Sequence, residues 1–208
     1  MSTGRVISRA NSLALVGYRH CCHVMLHTSI PEDVKLFRYY PIKNTILMQL
    51  RFDGRIGFSG GFVDDGEDLE TAVNREVQEE MGQTSTPVGI TEDNYVITHV
   101  QEEHIAELNL TKKLCLHFYA KEVPLNQFLE LERRNSTTSN LDFEVLGAIR
   151  CPLYTLRDKK GGLPSFLLHN FVGNARLQLF IGIEKENLLS REELLEAVKL
   201  SGTNIELP

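Results

Sequence analysis

Apolar and polar residues change their spacing several times along this chain, and each change marks an element. The runs CHVMLHT (Cys22 to Thr28) and TILMQLRF (Thr45 to Phe52) predict two β-strands, and Asp53-Gly54 predicts a tight turn joining the second to RIGF. A helical period over about Glu67 to Met81 has acidic residues in its first turn and Gly82 as its stop. Short strands follow near Tyr95 to Val100 and Lys113 to Ala120, then an amphipathic helix near Asn126 to Arg134 and a mixed run over residues 145 to 156. Pro164 precedes a helical stretch of roughly Ser165 to Phe180, and Ser190 to Leu200 opens with a capping box, Glu193 standing three residues after Ser190. Strands and helices alternate without a linker, which predicts one α/β domain spanning residues 1–208 with a mixed sheet.

The helix over Glu67 to Met81 departs from the usual amphipathic pattern. At about 100° per residue, Leu69, Ala72, Val73, Val77 and Met81 share one broad arc that should face the core. Glu76 and Glu80 fall inside that arc and Glu79 at its edge, while Thr71, Asn74 and Gln78 point away. A run of glutamates on a helix is ordinarily a solvated face. These three sit on the wrong side for that, and a carboxylate turned inward is costly unless it is paired or metal-bound. Arg75 can reach Glu79 one turn on or fold back to Glu67, but one arginine cannot neutralise the cluster. With the glycines at 57, 60 and 61 just before it, the stretch reads as a site for divalent cation and phosphate.

Composition narrows what the site can serve. The 208 residues are 42% hydrophobic and carry a formal charge of −6, which argues against a broad basic surface for nucleic acid; a DNA partner is not expected. The four cysteines, Cys21, Cys22, Cys115 and Cys151, lack paired metal-ligand spacing, and the N-terminus has no long apolar run. A reducing intracellular compartment and no membrane span are expected. His20, Cys21, Cys22 and His23 form an HCCH string, but neighbours on a strand point to opposite faces and cannot easily close a tetrahedral zinc site.

Gly61, Glu67 and the run Arg75-Glu76-Val77-Gln78-Glu79-Glu80-Met81-Gly82 match the Nudix box, Gx5Ex7REUxEExGU, except that Gln83 replaces the last aliphatic residue. The match covers residues 61–82. Beyond it, RHCCHVML, ILMQLRFDGRIGFSGGFVD, HFYAK, EVLGAIRCPLYTLRD and GGLPSFL resemble the Nudix subfamily that decaps small nucleolar RNA and hydrolyses inosine diphosphate. Ser59 stands where that subfamily typically has proline, and Gln101 to Lys113 is longer than its usual counterpart.

The resemblance implies a Nudix α/β/α sandwich and a metal-dependent hydrolase. Its expected substrates are (deoxy)inosine diphosphate, related purine nucleotides and the 5′ cap of RNA. The alternative is a non-catalytic RNA- or protein-binding module of the kind formed by a branch that has lost box carboxylates, all of which this chain keeps. Manganese or magnesium, with cobalt a further candidate, would be held by the Gly60 carbonyl, Glu76, Glu79, Glu80 and His99. The catalytic set would be Glu76, Glu79 and Glu80, with Glu76 or Glu79 accepting a proton from the attacking water. His23, Arg51, Phe58 and Gln178 would bind substrate, Phe58 and His23 sandwiching a purine and Arg51 gripping phosphate or base oxygen. Each has a plain alternative: Phe58 as core, Arg51 as a strand-end surface residue, Gln178 as a solvated helix residue and His99 as a bonded histidine at a strand end. The family further implies a homodimer in the nucleus, in nucleolus and nucleoplasm, and in the cytoplasm as well.

Overall fold

The computed structural model describes residues 4–105, 109–135 and 144–203. The chain begins with β1 (Arg5–Ile7), α1 (Arg9–Leu13) and the long β2 (Arg19–Ser29). A small hairpin, β3 (Lys35–Leu36) and β4 (Tyr40–Pro41), leads into β5 (Asn44–Arg51), β6 (Ile56–Gly57), β7 (Ser59–Phe62) and α2 (Leu69–Met81). After a 3-10 turn (Glu92–Asn94) come β8 (Tyr95–Ile105), β9 (Leu110–Glu122), α3 (Leu125–Asn135), β10 (Val145–Pro152), α4 (Leu163–Phe166), α5 (Ala175–Lys185) and α6 (Arg191–Ser201).

The sheet runs β1-β8-β9-β2-β5-β10, with β6 added to β5 and β7 to β2. β2 and β9 are parallel and the other pairs antiparallel, so the sheet is mixed as expected. One edge of β2 pairs with β9 along most of its length, from Arg19↔Leu114 to His27↔Glu122. Its other edge is shared: Cys21 to Val24 pair with β7, and Leu26 to Ser29 pair with β5. That division parts β5 from β7 and leaves room for a cleft where the glycine-rich turn lies.

Strand alternation then sorts side chains into two cores. Met25 and Phe118 face Leu179, Phe180 and Ile183 of α5 and Leu194 of α6. Val24, Leu26 and Tyr119 face Val73 and Val77 of α2 and Phe128 and Leu131 of α3. Helices on both faces of the sheet make the α/β/α sandwich.

Most elements lie where the pattern places them, with longer ends. β8 and β9 extend into one hairpin, so the arms of Gln101 to Lys113 are strand and only its residues 106–108 lie outside the described residues. α2 starts at Leu69 because Asp68 caps it, its carboxylate accepting from the Thr71 amide at 2.9 Å. Asn74 does not point to solvent: its side-chain amide pins both the amide and the carbonyl of Ile90.

The helix expected over Ser165 to Phe180 is two helices. Between α4 and α5 the backbone pairs with β6, Ile56 donating to the Asn170 carbonyl and Val172 donating to the Ile56 carbonyl, and Gly173 takes a positive φ of 48°. Those sheet bonds replace helical ones. β1, α1 and the β3–β4 hairpin are too short to show a period and were not expected.

On the α2 and α3 face, polar groups form a buried chain. The His20 and His117 rings stack with centroids 5.1 Å apart and share a hydrogen bond at 2.8 Å. His117 continues to Thr98 at 2.8 Å, and Thr98 to the Tyr95 hydroxyl at 2.8 Å. Burial, together with His20 and Arg9 nearby, pushes His117 down to about 3. The folded state therefore binds fewer protons than the unfolded chain between pH 6.5 and 3, and stability falls as pH falls through that window. Thermal melts from pH 7 to pH 4 should show this acid slope, and a His117→Asn variant should flatten it; equal slopes in both proteins would refute the assignment.

Candidate active site

Close approach of backbone sets this site. Gly60 in β7 lies opposite His23 of β2 at φ 140°, and a Cβ there would stand 2.0 Å from the Cys22 carbonyl oxygen. A Cβ on Gly61 would stand 2.6 Å from the Glu76 carboxylate. Both glycines let α2 and β2 close on β7, so the inward glutamates of α2 meet bare backbone.

Glu80 is the most enclosed of the three. Its Oε2 accepts from the Ser59 hydroxyl at 2.5 Å and from the Gly60 amide at 3.0 Å. Burial nonetheless pushes its carboxyl up to about 7, the two hydrogen bonds offsetting only part and Glu76 adding repulsion. Burial likewise raises Glu76, against the pull of Arg75. Glu79 is 58% exposed at its side chain.

Arg75 does more than choose between two partners. Its guanidinium bonds Glu67 at 3.1 Å, Glu76 at 2.9 Å and Glu79 at 3.2 Å, and donates to the Phe62 carbonyl at 3.0 Å. This ties the helix to the end of β7 and fixes the direction of three carboxylates.

The carboxylates open into a cleft of about 1190 Å³. Its wall includes Gly60, Glu76, Glu79 and Glu80 together with His23, Arg51, Phe58 and Gln178. Four residues expected to bind substrate are thus brought together with the acidic cluster. His23 is pushed down to about 4 by burial and by Arg51, so it is neutral at physiological pH and offers a flat uncharged ring. Phe58 is only 3% exposed and packs on Phe118 at 5.2 Å between centroids, core and wall at once. Gln178 is buried rather than solvated. The Arg51 Nε makes no hydrogen bond, and its nearest carboxylate is Asp53 at 3.6 Å.

His99 lies behind this wall, on the face of β8 that carries Gln101. It is 1% exposed, in β8 opposite Leu116, and its Nδ1 has no hydrogen-bond partner. Gln101, two residues on, does reach the cleft. The HCCH string is divided between faces, Cys21 and His23 toward the cleft and His20 and Cys22 toward α2.

The donor set suits a hard divalent cation. It offers carboxylate oxygens, two of them in groups whose negative charge burial disfavours, beside a strand turn with no side chains to fill the space. Among the described residues no three His, Cys, Asp or Glu side chains stand converged enough to hold an ion, since Arg75, Ser59 and the Gly60 amide now occupy the carboxylates. The Ser59 contact is one that sequence spacing does not reveal, and Phe52, Arg55, Gln101 and Asn174 also join the wall without a sequence signal.

A β-turn-α unit that presses an REUxEE helix on a Gly-Gly backbone, inside an α/β/α sandwich, defines a Nudix hydrolase, which acts on phosphoanhydride bonds with divalent cations. The model of the Nudt16-like, U8 snoRNA-decapping enzyme-like family matches residues 20–189, and the chain belongs to that family. It is 43% identical over 198 residues to the U8 snoRNA-decapping enzyme of Xenopus laevis, covering 95% of this chain and 89% of that one. The Mus musculus U8 snoRNA-decapping enzyme is 39% identical, with 91% and 93% covered. The Tudor-interacting repair regulator protein of Homo sapiens is 36% identical, with 95% and 91% covered.

Two outcomes check the site. Glu80 is raised from 4.5 to about 7, so its contribution to stability is present below pH 4.5 and lost as pH rises through 7. In chelator, Glu80→Gln should therefore be more stable than the parent at pH 8, by about 3 kcal/mol on the linkage scale, and not at pH 4; urea unfolding at both pH values measures this. Ser59→Ala, by loosening Glu80, should weaken manganese binding by about 10- to 100-fold in calorimetric titration; unchanged affinity would show that the hydroxyl has no part in holding Glu80 for the ion.

Proposed function

We propose that this protein hydrolyses a phosphoanhydride bond in the 5′ cap of RNA and in (deoxy)inosine diphosphate and related purine nucleotides. The observation that carries the proposal is the placement of Glu76 and Glu80 against the Gly60–Gly61 backbone, opening on a cleft that also holds His23, Arg51 and Phe58. The decapping names of the Xenopus laevis and Mus musculus relatives support the RNA substrate.

Glu76, Glu80, Glu79 and the Gly60 carbonyl are the groups that would hold divalent cations, manganese or magnesium being those to test. Bound there, the cations would supply charge to the phosphate oxygens and lower the pKa of a water. Glu79, the most exposed of the three and steadied by Arg75, is the carboxylate placed to accept a proton at the cleft. Arg51 bears on phosphate or on a base oxygen, and neutral His23 with Phe58 holds the purine. His99, on the face of β8 that also carries Gln101 and opposite Leu116 of the cleft wall, keeps its buried Nδ1 unbonded and would be a further ligand.

A second reading takes its support from the 36% identical Tudor-interacting repair regulator: a module that binds protein or RNA without turnover. It leaves the buried carboxylates without a task. Incubation with inosine diphosphate and with capped RNA, in manganese, in magnesium and in chelator, separates the two. We expect metal-dependent release of phosphate and of cap nucleotide, lowered at least about 100-fold in Glu79→Gln and Glu80→Gln. No release with either metal, or equal release from the variants, would overturn the hydrolase.

A further inference from the structure

Phe52 is an anomaly at the end of β5: a large aromatic residue 59% exposed, set on the wall of the cleft rather than in either core. Arg51 backs its ring, the guanidinium carbon 5.3 Å from the centroid. The turn beyond is stiff. Asp53 accepts from the Arg55 amide at 3.0 Å, Gly54 takes φ 74°, and the Asp53 carboxylate stands 3.6 Å from Arg51 and 3.7 Å from Arg55. Phe52 is further fixed by its amide, which donates to the Glu144 carbonyl at 2.9 Å.

That bond brings the start of β10 beside it. The register of β10 on β5 slips between Val145 and Gly147, and the residue left between them, Leu146, is 59% exposed and lines the same cleft. The lip is therefore apolar at Phe52 and Leu146 and carries Arg51 and Arg55, with Asp53 beside both arginines and Glu144 in the same wall. The inner wall holds His23 and Phe58, the latter buried against Phe118. A cleft of about 1190 Å³ exceeds the roughly 300–1,000 Å³ of ordinary small-ligand pockets, which is room for more than one purine nucleotide.

We infer that the Phe52–Leu146 lip is a second nucleoside subsite, in which Phe52 stacks the base that lies across the phosphate bridge from the purine held by His23 and Phe58. The ligand class is a dinucleoside polyphosphate, the cap with the first nucleotide of its RNA. An exposed aromatic ring beside arginines suits this use because stacking is tolerant of base identity while the guanidinium groups answer the phosphates. Phe52 is then a specificity residue that favours dinucleotides over mononucleotides. The inference rests on the nucleotide reading of the cleft.

The test pairs two substrates. Parent, Phe52→Ala and Phe52→Tyr are compared on inosine diphosphate and on a 5′–5′ triphosphate-linked dinucleotide, with binding of a methylene-bridged, uncleavable dinucleotide measured separately by calorimetry. In Phe52→Ala we expect KM for the dinucleotide to rise about tenfold or more with kcat within about threefold, KM for inosine diphosphate to move less than about threefold, and Phe52→Tyr to restore parent values. Weaker binding of the uncleavable dinucleotide should accompany this, and Leu146→Ser should act in the same direction. Equal effects on both substrates, no effect on the dinucleotide, or a change of oligomeric state without loss of affinity would each overturn the subsite. Failure of the parent to cleave either substrate would instead overturn the hydrolase reading, while the calorimetry still decides whether Phe52 binds a second base.

Discussion

Two carboxylates held against bare backbone organise this molecule. Glu76 can lie inward on α2 only because Gly61 has no Cβ, Glu80 takes the Gly60 amide, and β7 can lie close on β2 only because Gly60 adopts a φ that a larger residue would not tolerate. Those closures need α2 to be fixed along its length. Asp68 caps its start, Asn74 locks its middle to Ile90, Arg75 ties it to Phe62, and Val73, Val77 and Met81 bury its apolar side. The remaining charge is unfavourable in the protein alone, as the raised carboxyls of Glu76 and Glu80 show. The site is thus strained toward a cation rather than toward rest, a common relation between stability and activity.

The sheet supplies the other half of the arrangement. Because β2 divides one edge between β7 and β5, the residues flanking that division look into the cleft instead of into a neighbouring strand. Cys21 and His23 alternate with His20 and Cys22, so one strand feeds the cleft on one face and the stacked His20–His117 pair on the other. Burial keeps His23 and His117 neutral. The cleft's own charge is left to Arg51, Arg55 and Lys112 and to the α2 carboxylates with Asp64, Glu103 and Glu144.

The acidic cluster was legible because helical period is a local property: offsets among Leu69, Val73, Val77 and Met81 fix which way Glu76 and Glu80 must turn. The box spacing then carried the turn as well as the helix. Longer-range features were not legible. Ser59 meets Glu80 across 21 positions because α2 packs back on β7, and the break between α4 and α5 depends on β6 bonding the backbone at Asn170 and Val172. His99 needed more than its own position to be placed, since the hairpin that sets it opposite Leu116 of the cleft wall spans residues far beyond any motif. The long Gln101 to Lys113 segment could be seen as an addition, but not as hairpin arms that bring Gln101 to the wall.

Energetics also weigh hydrolase against binding module. A surface that only binds an RNA or a protein gains from arginines, aromatic rings and exposed apolar groups, and gains nothing from carboxylates whose ionised form burial penalises. If those carboxylates had no cation to hold, substitution of Glu80 by an uncharged residue would raise stability at neutral pH and remove a repulsion from anionic ligands at one stroke. Instead Ser59, the Gly60 amide and Arg75 all spend their donors on the cluster. Donors directed at anions in an already anionic cleft orient those anions; they do not recruit a partner. Orientation of buried carboxylates matters to a reaction in which charge on phosphate must be met at fixed positions, and that requirement is what sets this cleft apart from a docking surface.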